Sequence, residues 1–241
     1  MSKPKISLVT VCRNNLSDVQ HTAASVFAQT FTDYEYIIVD GASTDGTVEW
    51  LRTQSDIRWV SEPDKGIYDA MNKGVHMAKG EWILFLNARD TLFHNEVLQQ
   101  IAPFLQNEYG LVYGDIVKER KGREIIKQAE QPHNSHRMFC CHQALFTRTD
   151  LLRQTPFDCT HPFSADFKFV KQMYLQGIPM LHVSQVIARF DTHGISHTHL
   201  TEGLQDNIAV IRELDTRWWN RFCFISRLRC KILWTQLRHI R

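Results

Sequence analysis

The sequence predicts an α/β fold built on a mostly parallel sheet with helices on both sides, and three observations support this prediction. Short β-branched and aromatic runs alternate with helix-like segments through the first half of the chain, as in successive βαβ units. The 241 residues are enough for one large core and few for two full domains. No proline- or glycine-rich linker divides the two halves, so we expect them to share that core.

The first half of the chain contains the predicted parallel strands and the helices that connect them. The strands are predicted at residues 6–11, 34–39, 57–60 and 82–86, and the helices at residues 16–29, 47–53 and 68–78. Apolar residues recur at helical spacing in the first helix, at Val19, Ala23 and Val26. The last of these strands is apolar throughout, as expected of a strand that is buried on both faces.

The second half departs from strict βαβ alternation. We predict a helix at residues 95–105, a strand at 111–115 leading into a hairpin that turns at Lys121 and Gly122, a strand at 144–146, a helix at 167–176 and strands at 180–183 and 186–190. A helical appendage follows these elements. We therefore place one domain at residues 1–203, with halves of about 1–115 and 116–203, and an amphipathic helical tail at residues 204–241.

The tail is basic as well as amphipathic. From Thr216 onward the chain has no Asp or Glu but seven Arg and Lys residues. On a helical wheel its apolar side holds Trp218, Phe222, Ile225, Leu228 and Ile232. Such a helix either lies on an anionic membrane surface or packs its apolar face on the domain, and both interpretations stay open. Because the excess of basic over acidic residues is confined to the tail, nucleic-acid binding is disfavoured.

The termini and cysteines predict a reducing, cytoplasmic setting. The N-terminal residues have no long apolar core or small-residue cleavage site, so we expect no signal peptide. No apolar run approaches the roughly 20 residues that a membrane-spanning helix needs. The six cysteines form no Cys-x-x-Cys pair, which predicts reduced thiols. Adjacent Cys140 and Cys141 before His142 lack the further partners of a tetrahedral zinc site.

Acidic residues follow three of the predicted parallel strands. Asp40 ends the second strand, Glu62 and Asp64 follow the third, and Asp90 follows the fourth. One such turn alone would be an Asx turn or a helix N-cap, but three at successive strand ends favour a binding site, because ligands collect at the carboxyl edge of a parallel sheet. Carboxylates there suit ribose hydroxyls, base N–H groups and a divalent metal that carries diphosphate oxygens.

Two common nucleotide-binding motifs are missing from the sequence. It has neither the Gly-x-Gly-x-x-Gly of dinucleotide folds nor the Gly-Lys-Ser/Thr of phosphate loops. Dehydrogenases and P-loop enzymes are therefore disfavoured. What remains is a nucleotide held largely by acids and a metal.

An ordered series of motifs resembles the family 2 glycosyltransferases of GT-A fold. The matching segments are residues 9–14 (VTVCRN), 39–47 (VDGASTDGT), 61–74 (SEPDKGIYDAMNKG), 78–87 (AKGEWILFLN) and Asp90, with weaker likeness at 142–146 and 163–169. The resemblance covers about residues 6–196 and is nearest to bacterial exopolysaccharide, colanic acid and O-antigen transferases. It implies a nucleotide-sugar half at about 1–115 and an acceptor half at about 116–203.

The resemblance assigns roles to individual residues. It implies that Asp40 hydrogen-bonds the nucleobase or ribose, with Thr10 nearby, and that Asp90 binds the Mn²⁺ or Mg²⁺ ion that bridges the donor diphosphate. It also implies that Asp166 is the catalytic general base, since this residue falls in the family's later acidic motif. The structural alternative for Asp166 is the N-cap of a helix that begins at Phe167.

Further candidates line the same expected site. The donor-binding candidates in the segment before and within the third helix are Glu62, Asp64, Asp69 and Asn72, and Tyr68 lies in the same segment. For Glu62 and Asp64, helix-start chemistry is the alternative. Arg89 stands where many relatives have an acid or glycine, and it either faces solvent or pairs with a donor phosphate. His142 is expected near the donor sugar or the acceptor. His193 is a candidate metal ligand in a late loop, with a simple turn residue as the alternative.

Together these implications predict an inverting glycosyltransferase. It would move a sugar from a nucleoside-diphosphate sugar to a hydroxyl of a lipid-linked saccharide, in the cytoplasm or peripherally on the cytoplasmic face of the inner membrane. Two alternatives stay open: a catalytically inactive homologue that only binds the nucleotide sugar, and a sugar nucleotidyltransferase. The latter usually needs a glycine-rich loop after the first strand, and residues 12–16 contain no glycine.

Overall fold

The computed structural model describes residues 3–120, 123–190 and 199–239. The strands within these ranges are β1 (Ile6–Cys12), β2 (Tyr34–Asp40), β3 (Ile57–Ser61), β4 (Trp82–Phe85), β5 (Thr91–Leu92), β6 (Leu111–Arg120), β7 (Arg123–Lys127), β8 (Leu145–Arg148) and β9 (Met180–Phe190). The helices are α1 (Leu16–Phe27), α2 (Thr47–Arg52), α3 (Ile67–Met77), α4 (Val97–Ile101), α5 (Thr149–Gln154), α6 (Ala165–Leu175), α7 (Leu200–Leu214) and α8 (Trp218–His239). All strands belong to one sheet of order β3-β2-β1-β4-β8-β6-β9-β5, with β7 paired to β6.

The N-terminal half forms the predicted parallel part of the sheet. β2 and β4 flank β1, β3 flanks β2, and all three pairings are parallel. β1 is buried along its whole length, and alternate residues serve two core layers: Leu8 joins Val19 of α1, and Val9 joins Val75 of α3. A Cβ on Gly74 would lie 2.5 Å from Val9 Cγ1, so glycine lets α3 pack directly on β1. These packed layers hold the carboxyl ends of β1, β2 and β4 in place.

The C-terminal half makes the sheet mixed. β8 runs antiparallel to β4 and β6, whereas β6 and β9 are parallel. The predicted hairpin is confirmed by antiparallel pairing of β6 with β7 up to Arg120 and Arg123; its turn lies outside the described residues. β9 is one continuous strand where two were predicted. The register jumps from Tyr113–His182 to Asp115–Val186, so a bulge absorbs the polar residues that suggested a break.

Several helix boundaries also differ from prediction. The helix predicted at 95–105 ends at Ile101 and continues as a short 3₁₀ turn (Ala102–Phe104), because Pro103 has no N–H for the α-helical ladder. α6 begins at Ala165, two residues earlier than predicted. The two-residue β5 and the short α5 were not predicted, since neither is long enough to show a periodicity.

The C-terminal helices pack on α6 and are joined to the domain by buried polar contacts. Leu204, Ile208 and Ile211 of α7 form a cluster with Phe167 of α6 and Leu228 of α8. α7 begins at Leu200, inside the segment assigned to the domain by sequence.

One ion pair and one hydrogen bond tie these helices to the domain. The Lys171–Asp215 pair measures 2.9 Å, with both side chains almost fully buried, and His161 Nδ1 lies 2.6 Å from Asp206 Oδ1. Breaking a buried ion pair such as Lys171–Asp215 costs about 3–5 kcal/mol of stability, so the tail is anchored firmly.

Helix α8 has two different apolar faces, which corrects the single face read from the helical wheel. Ile225, Leu228 and Ile232 pack inward on the cluster that joins α6, α7 and α8. Trp218 and Phe222 instead remain more than half exposed. No described helix combines the length and apolar character needed to cross a bilayer.

Candidate active site

A cleft of about 830 Å³ opens where the sheet edge meets the C-terminal helices. Its walls come from the end of β1 at Cys12, the loop after β4 at Asp90, the start of α3 at Tyr68, the first turn of α6 at Asp166, and α7 at Leu204. The carboxyl edge of the parallel strands therefore lies on one side of the cleft. Helices α6 and α7 lie on the other.

Asp166 projects into this cleft from the first turn of α6 and is held on three sides. Tyr68 Oη donates to Oδ1 over 2.8 Å, and the Phe167 backbone N–H donates to the same oxygen over 2.8 Å. His142 Nδ1 lies 3.0 Å from Oδ2. The helix N-cap is Ser164, so the N-cap interpretation of Asp166 is wrong. The helix N-terminus still favours its negative charge.

These contacts set the charge on Asp166. Burial alone would raise the pKa of its carboxyl. Hydrogen bonding and attraction from His142, together with hydrogen bonds from Tyr68 and the Phe167 N–H, lower the pKa by more than burial raises it. The net pKa of Asp166 is therefore below the ordinary value. Burial and the neighbouring carboxylate raise the pKa of Tyr68 well above its usual range. At neutral pH Asp166 is therefore a carboxylate and Tyr68 a neutral phenol that donates to it.

His142 links Asp166 to the end of β4. Its Nε2 lies 3.1 Å from Asn87 Nδ2. Because the Asn87 amide can only donate there, Nε2 accepts and Nδ1 carries the proton that points to Asp166; this tautomer is assigned from the hydrogen-bond network. Asn87 Oδ1 is buried without a hydrogen-bond partner among the described residues. His142 thus lies in the cleft, as expected, but its two ring nitrogens are directed to protein groups.

Asp90 is a buried carboxylate in the cleft wall. Its Oδ2 accepts a hydrogen bond of 3.0 Å from Gln143 Nε2. Gln143 therefore joins Asp90 to the segment that carries His142. The structure brings the predicted metal ligand and the predicted base into one cleft.

Arg89 lines the same cleft and has an unusual backbone. Its φ is 87°, a left-handed conformation that costs a residue other than glycine on the order of 1–3 kcal/mol. Its backbone N–H donates to Thr22 Oγ1 over 2.9 Å, and its Nε donates to Asp18 Oδ1 over 3.2 Å. The guanidinium is therefore held at the cleft rim by an acid of α1, with about half of the side chain exposed.

Comparison with known protein families decides what kind of enzyme this is. The family described as "Glycosyl transferase family 2" matches residues 7–174, from the first strand to the end of α6. The chain belongs to this family. A PGL/p-HBAD biosynthesis glycosyltransferase of Mycobacterium bovis is 30% identical over 177 residues, covering 70% of this chain and 69% of that protein. The poly(ribitol-phosphate) beta-N-acetylglucosaminyltransferase TarP of Staphylococcus aureus is 27% identical, covering 62% of this chain and 48% of that protein.

Solved structures confirm the GT-A fold of this family 2 glycosyltransferase. Residues 1–349 of S. aureus TarS, in complex with UDP, superpose with a TM-score of 0.68 at 18% identity, over 93% of this chain and 70% of that one. The mannosyltransferase PcManGT of Pyrobaculum calidifontis, in complex with GDP-Man and Mn²⁺, gives 0.69 at 15% identity, over 96% and 70%. At these identities the likeness concerns the fold alone.

Two predicted nucleotide-binding residues of the glycosyltransferase lie beneath the cleft rather than in its lining. Asp40 is fully buried, and its Oδ2 accepts from the Ser43 N–H over 2.9 Å and from Ser61 Oγ over 2.6 Å. Thr10 is also fully buried, and its Oγ1 donates to the Leu86 carbonyl over 2.6 Å. Both side chains tie strand ends together. Their direct contact with a nucleotide stays a prediction.

The acids before α3 and in its first turn mostly contact other groups around the start of this helix. Lys73 Nζ lies 2.9 Å from Glu62 and 3.7 Å from Asp69, and Asp64 Oδ1 accepts from the Gly66 N–H over 2.9 Å. Of these acids, only Asp64 lines the cleft.

Two other contacts concern this loop and the helix that follows it. A Cβ on Gly41 would lie 2.3 Å from Asp64 Oδ2, so glycine allows the turn after β2 to approach Asp64. Asn72 exchanges two hydrogen bonds, of 2.8 and 3.0 Å, with the Phe157 backbone. Asn72 therefore acts as a brace outside the cleft lining.

The described residues near Asp90 suit a divalent cation by their chemistry. The Asp90 carboxylate and the unpartnered Asn87 Oδ1 are oxygen ligands, which Mg²⁺ and Mn²⁺ prefer. His193 lies outside the described residues. Another cluster, Asp158, His161 and Glu213, has ligand spacing, but Lys168 Nζ lies 2.6 Å from Asp158 and also pairs with Glu213. An ammonium group already fills that position.

Sequence reasoning missed the partners of the predicted base, Asp166. The sequence assigns Tyr68 only to the segment around the third helix and gives Asn87 no role, yet both belong to the Asp166–His142 network. The signal was weak, because the four residues are far apart in sequence and meet only through the packing of α3, β4 and α6. Lys231 of α8 also lines the cleft, and only the tertiary structure places it there.

Proposed function

We propose that this glycosyltransferase moves a sugar from a nucleoside-diphosphate sugar to an acceptor hydroxyl, with inversion at the anomeric carbon, and that Asp166 is the general base. The observation that carries the proposal is the ionised Asp166 carboxylate, fixed in the cleft by Tyr68 and His142. A proton must leave the attacking hydroxyl as the new bond forms, and a positioned carboxylate accepts it. One base opposite the leaving group gives a single displacement and hence inversion.

The reaction also requires stabilisation of the negative charge that develops on the leaving diphosphate. Arg13 and Arg89 line the cleft near the strand ends, and guanidinium groups pair well with phosphate oxygens. Asp90, with the Asn87 amide oxygen, would hold a Mg²⁺ or Mn²⁺ ion. Such an ion would supply electrostatic stabilisation of the diphosphate when bound. The Mn²⁺ in the PcManGT complex supports this proposal by analogy of fold.

We further propose a saccharide acceptor carried on a lipid, in the synthesis of a bacterial glycan. The mycobacterial relative is named for PGL/p-HBAD biosynthesis, and TarP is named a poly(ribitol-phosphate) beta-N-acetylglucosaminyltransferase; the name of TarP supports a polymeric surface-glycan acceptor. The exposed face of α8 supports an acceptor presented at a membrane. It consists of Trp218, Trp219, Phe222, Leu233, Trp234 and Leu237, each more than half exposed.

This face gives the enzyme a peripheral position on the cytoplasmic side of the membrane. Helix α8 carries several Arg and Lys residues and no acid, so anionic lipid attracts it by about 1 kcal/mol per basic residue near the surface. Burial of one exposed Phe or Leu side chain adds about 1.5–3 kcal/mol. The double variant Phe222→Ser/Leu233→Ser is therefore expected to sediment at least tenfold less with phosphatidylglycerol vesicles than the wild type. Ile126→Ser removes an equally exposed side chain from β7 and is the matched control; equal sedimentation of all three proteins would exclude the membrane role.

The catalytic proposal is tested by Asp166→Asn. Purified wild type is screened against nucleotide sugars by thermal shift, since a ligand of the folded state raises the melting temperature, and the donor found is then used for turnover. Loss of a general base lowers turnover by about 10²–10⁴-fold, while the thermal shift with the sugar donor is expected to persist. Asp150→Asn, on the surface helix α5, is the control. Wild-type turnover by Asp166→Asn would remove the assignment, and donor binding without any turnover in the wild type would support the inactive homologue instead.

A further inference from the structure

The cleft extends beyond Asp166 along the C-terminal helices. Its far wall is formed by Phe163, Leu200, Leu204 and Asn207, with Lys231 contributed by α8. A volume of about 830 Å³ is near the upper end of the roughly 300–1,000 Å³ of ligand pockets. The cleft therefore has room for part of an acceptor as well as for a sugar donor.

Positive charge gathers at this far end. Arg137 and Lys231 both line the cleft. The half-buried His136 lies near both cations. Burial is the largest cause of its lowered pKa, and the positive charges of Arg137, Arg227 and Lys231 lower that pKa further. Arg137 pairs with Glu130 over 2.6 Å.

Part of this positive charge is not neutralised by neighbouring acids. No carboxylate among the described residues forms an ion pair with Arg227 or Lys231. The near end of the cleft holds Asp64, Asp90 and Asp166 together with Arg13 and Arg89, so positive and negative charges offset one another there. Among the described residues of the lining, no acid lies at the far end.

The position of Lys231 on α8 connects this charge to the exposed apolar face. Residues three apart lie on neighbouring parts of a helix surface. Lys231 follows the buried Leu228 by three residues and precedes the exposed Trp234 by three. It therefore lies between the side of α8 that packs on the domain and the side that we assign to the membrane. A ligand that extends from the bilayer into the cleft would pass Lys231.

We propose that Arg137 and Lys231 form a subsite for the phosphate group that joins the acceptor saccharide to its lipid. The inference rests on the proposed function, which supplies a lipid-linked saccharide, and adds the residues that recognise its charge. The phosphate lies against the two cations, the saccharide extends toward Asp166 along Leu204 and Asn207, and the lipid leaves along the exposed face of α8. Lys and Arg are the side chains suited to phosphate oxygens.

The test uses farnesyl diphosphate as the probe, with farnesol as the uncharged lipid and inorganic diphosphate as the lipid-free anion. Binding is measured by titration calorimetry at one fixed ionic strength, without any sugar donor. We expect the wild type to bind farnesyl diphosphate at least tenfold more tightly than either control compound. Lys231→Gln and Arg137→Gln are each expected to reduce this preference at least threefold. Arg229→Gln removes an exposed charge of the same helix that is outside the cleft lining, and should keep the wild-type preference.

Several results would overturn the subsite. The first is that farnesol or inorganic diphosphate binds the wild type as tightly as farnesyl diphosphate does. The second is that Lys231→Gln and Arg137→Gln both keep the wild-type preference for farnesyl diphosphate. The third is that nucleoside diphosphates displace the probe, which would place its binding site at the donor end of the cleft. A greater loss of vesicle binding in Lys231→Gln than in Arg229→Gln would assign Lys231 to lipid headgroups instead. Because no sugar donor is present, a failure here is separate from a failure of Asp166→Asn, and equal melting temperatures verify that the variants fold.

Discussion

His142 offers a sharp test of the proposed general base, because both of its ring nitrogens lie within hydrogen-bond distance of protein groups. Its Nδ1 lies 3.0 Å from Asp166 Oδ2, and its Nε2 is 3.1 Å from Asn87 Nδ2. His142→Leu removes both contacts and puts an apolar side chain of moderate size in place of the ring. His142→Asn keeps one N–H that can reach Asp166. The two variants therefore separate loss of the hydrogen bond from loss of the ring.

The expected magnitude follows from the hydrogen bond to the charged carboxylate. A hydrogen bond to a charged group contributes about 1.5–3 kcal/mol, which corresponds to about 10–150-fold in rate if the bond orients the base in the transition state. We expect kcat of His142→Leu to fall within that range, with KM for the sugar donor changed less than threefold. His142→Asn should recover at least part of the loss.

The pH profile gives a readout that a merely structural role would not change. The contacts of Asp166 depress its pKa, so its active carboxylate form is retained above that pKa and lost as the pH falls through it. Without His142 the pKa rises, and the acidic limb of kcat against pH should move to higher pH in His142→Leu and less in His142→Asn. Thermal unfolding checks that the variants are folded. Unchanged kcat and an unchanged acidic limb in His142→Leu would refute the reasoning, and a large rise in donor KM alone would restore a donor-binding role.

Two further predictions concern the tail anchor and the metal site. Asp215→Asn should lower the free energy of unfolding by about 3–5 kcal/mol in urea titrations, because it leaves the Lys171 ammonium uncompensated; the neutral double variant Lys171→Met/Asp215→Asn should lose less, and an equal or larger loss would contradict this. Arg89→Gly relieves the left-handed backbone conformation but removes a cation from the cleft. It should increase the Mg²⁺ or Mn²⁺ concentration needed for half-maximal turnover, whereas an identical metal dependence would show that the guanidinium does not act on the donor diphosphate.

The sequence was informative wherever a residue's role follows from its place on the chain. The strands β1 to β4 could be predicted because each combines a short apolar run with a turn, and the positions of Asp90 and Asp64 at strand ends placed them in the cleft. Burial of Asp40 could not be predicted from the same rule. Ser43 and Ser61 surround its carboxylate, and that arrangement depends on how the β2 and β3 ends pack.

Roles that depend on contacts between distant segments were beyond the sequence. Asp166 was expected to be the base only through resemblance, and the side chains that hold it come from α3 and the segment before β8. The helical wheel of α8 joined Trp218 with Ile225, although one is exposed and the other packs inward. A wheel orders side chains by angle but does not state which arc the neighbouring helices cover.

The connection between α6 and the tail changes how the membrane role must be tested. Asp166 is in the first turn of α6, and Lys168 and Lys171, in the next turn, pair with Glu213 and Asp215 near the end of α7. Since Leu204 and Asn207 of α7 also line the cleft, removing residues 204–241 would uncover the helix that carries Asp166 and open the cleft wall. Loss of membrane binding after truncation would then be inseparable from damage to the site.

Substitutions confined to the exposed face of α8, such as Phe222→Ser/Leu233→Ser, leave the ion pairs between α6 and the end of α7 in place. Vesicle binding should therefore fall while donor-dependent turnover with a soluble acceptor stays within twofold of the wild type. A parallel loss of both activities would mean that this face supports the catalytic domain rather than a membrane.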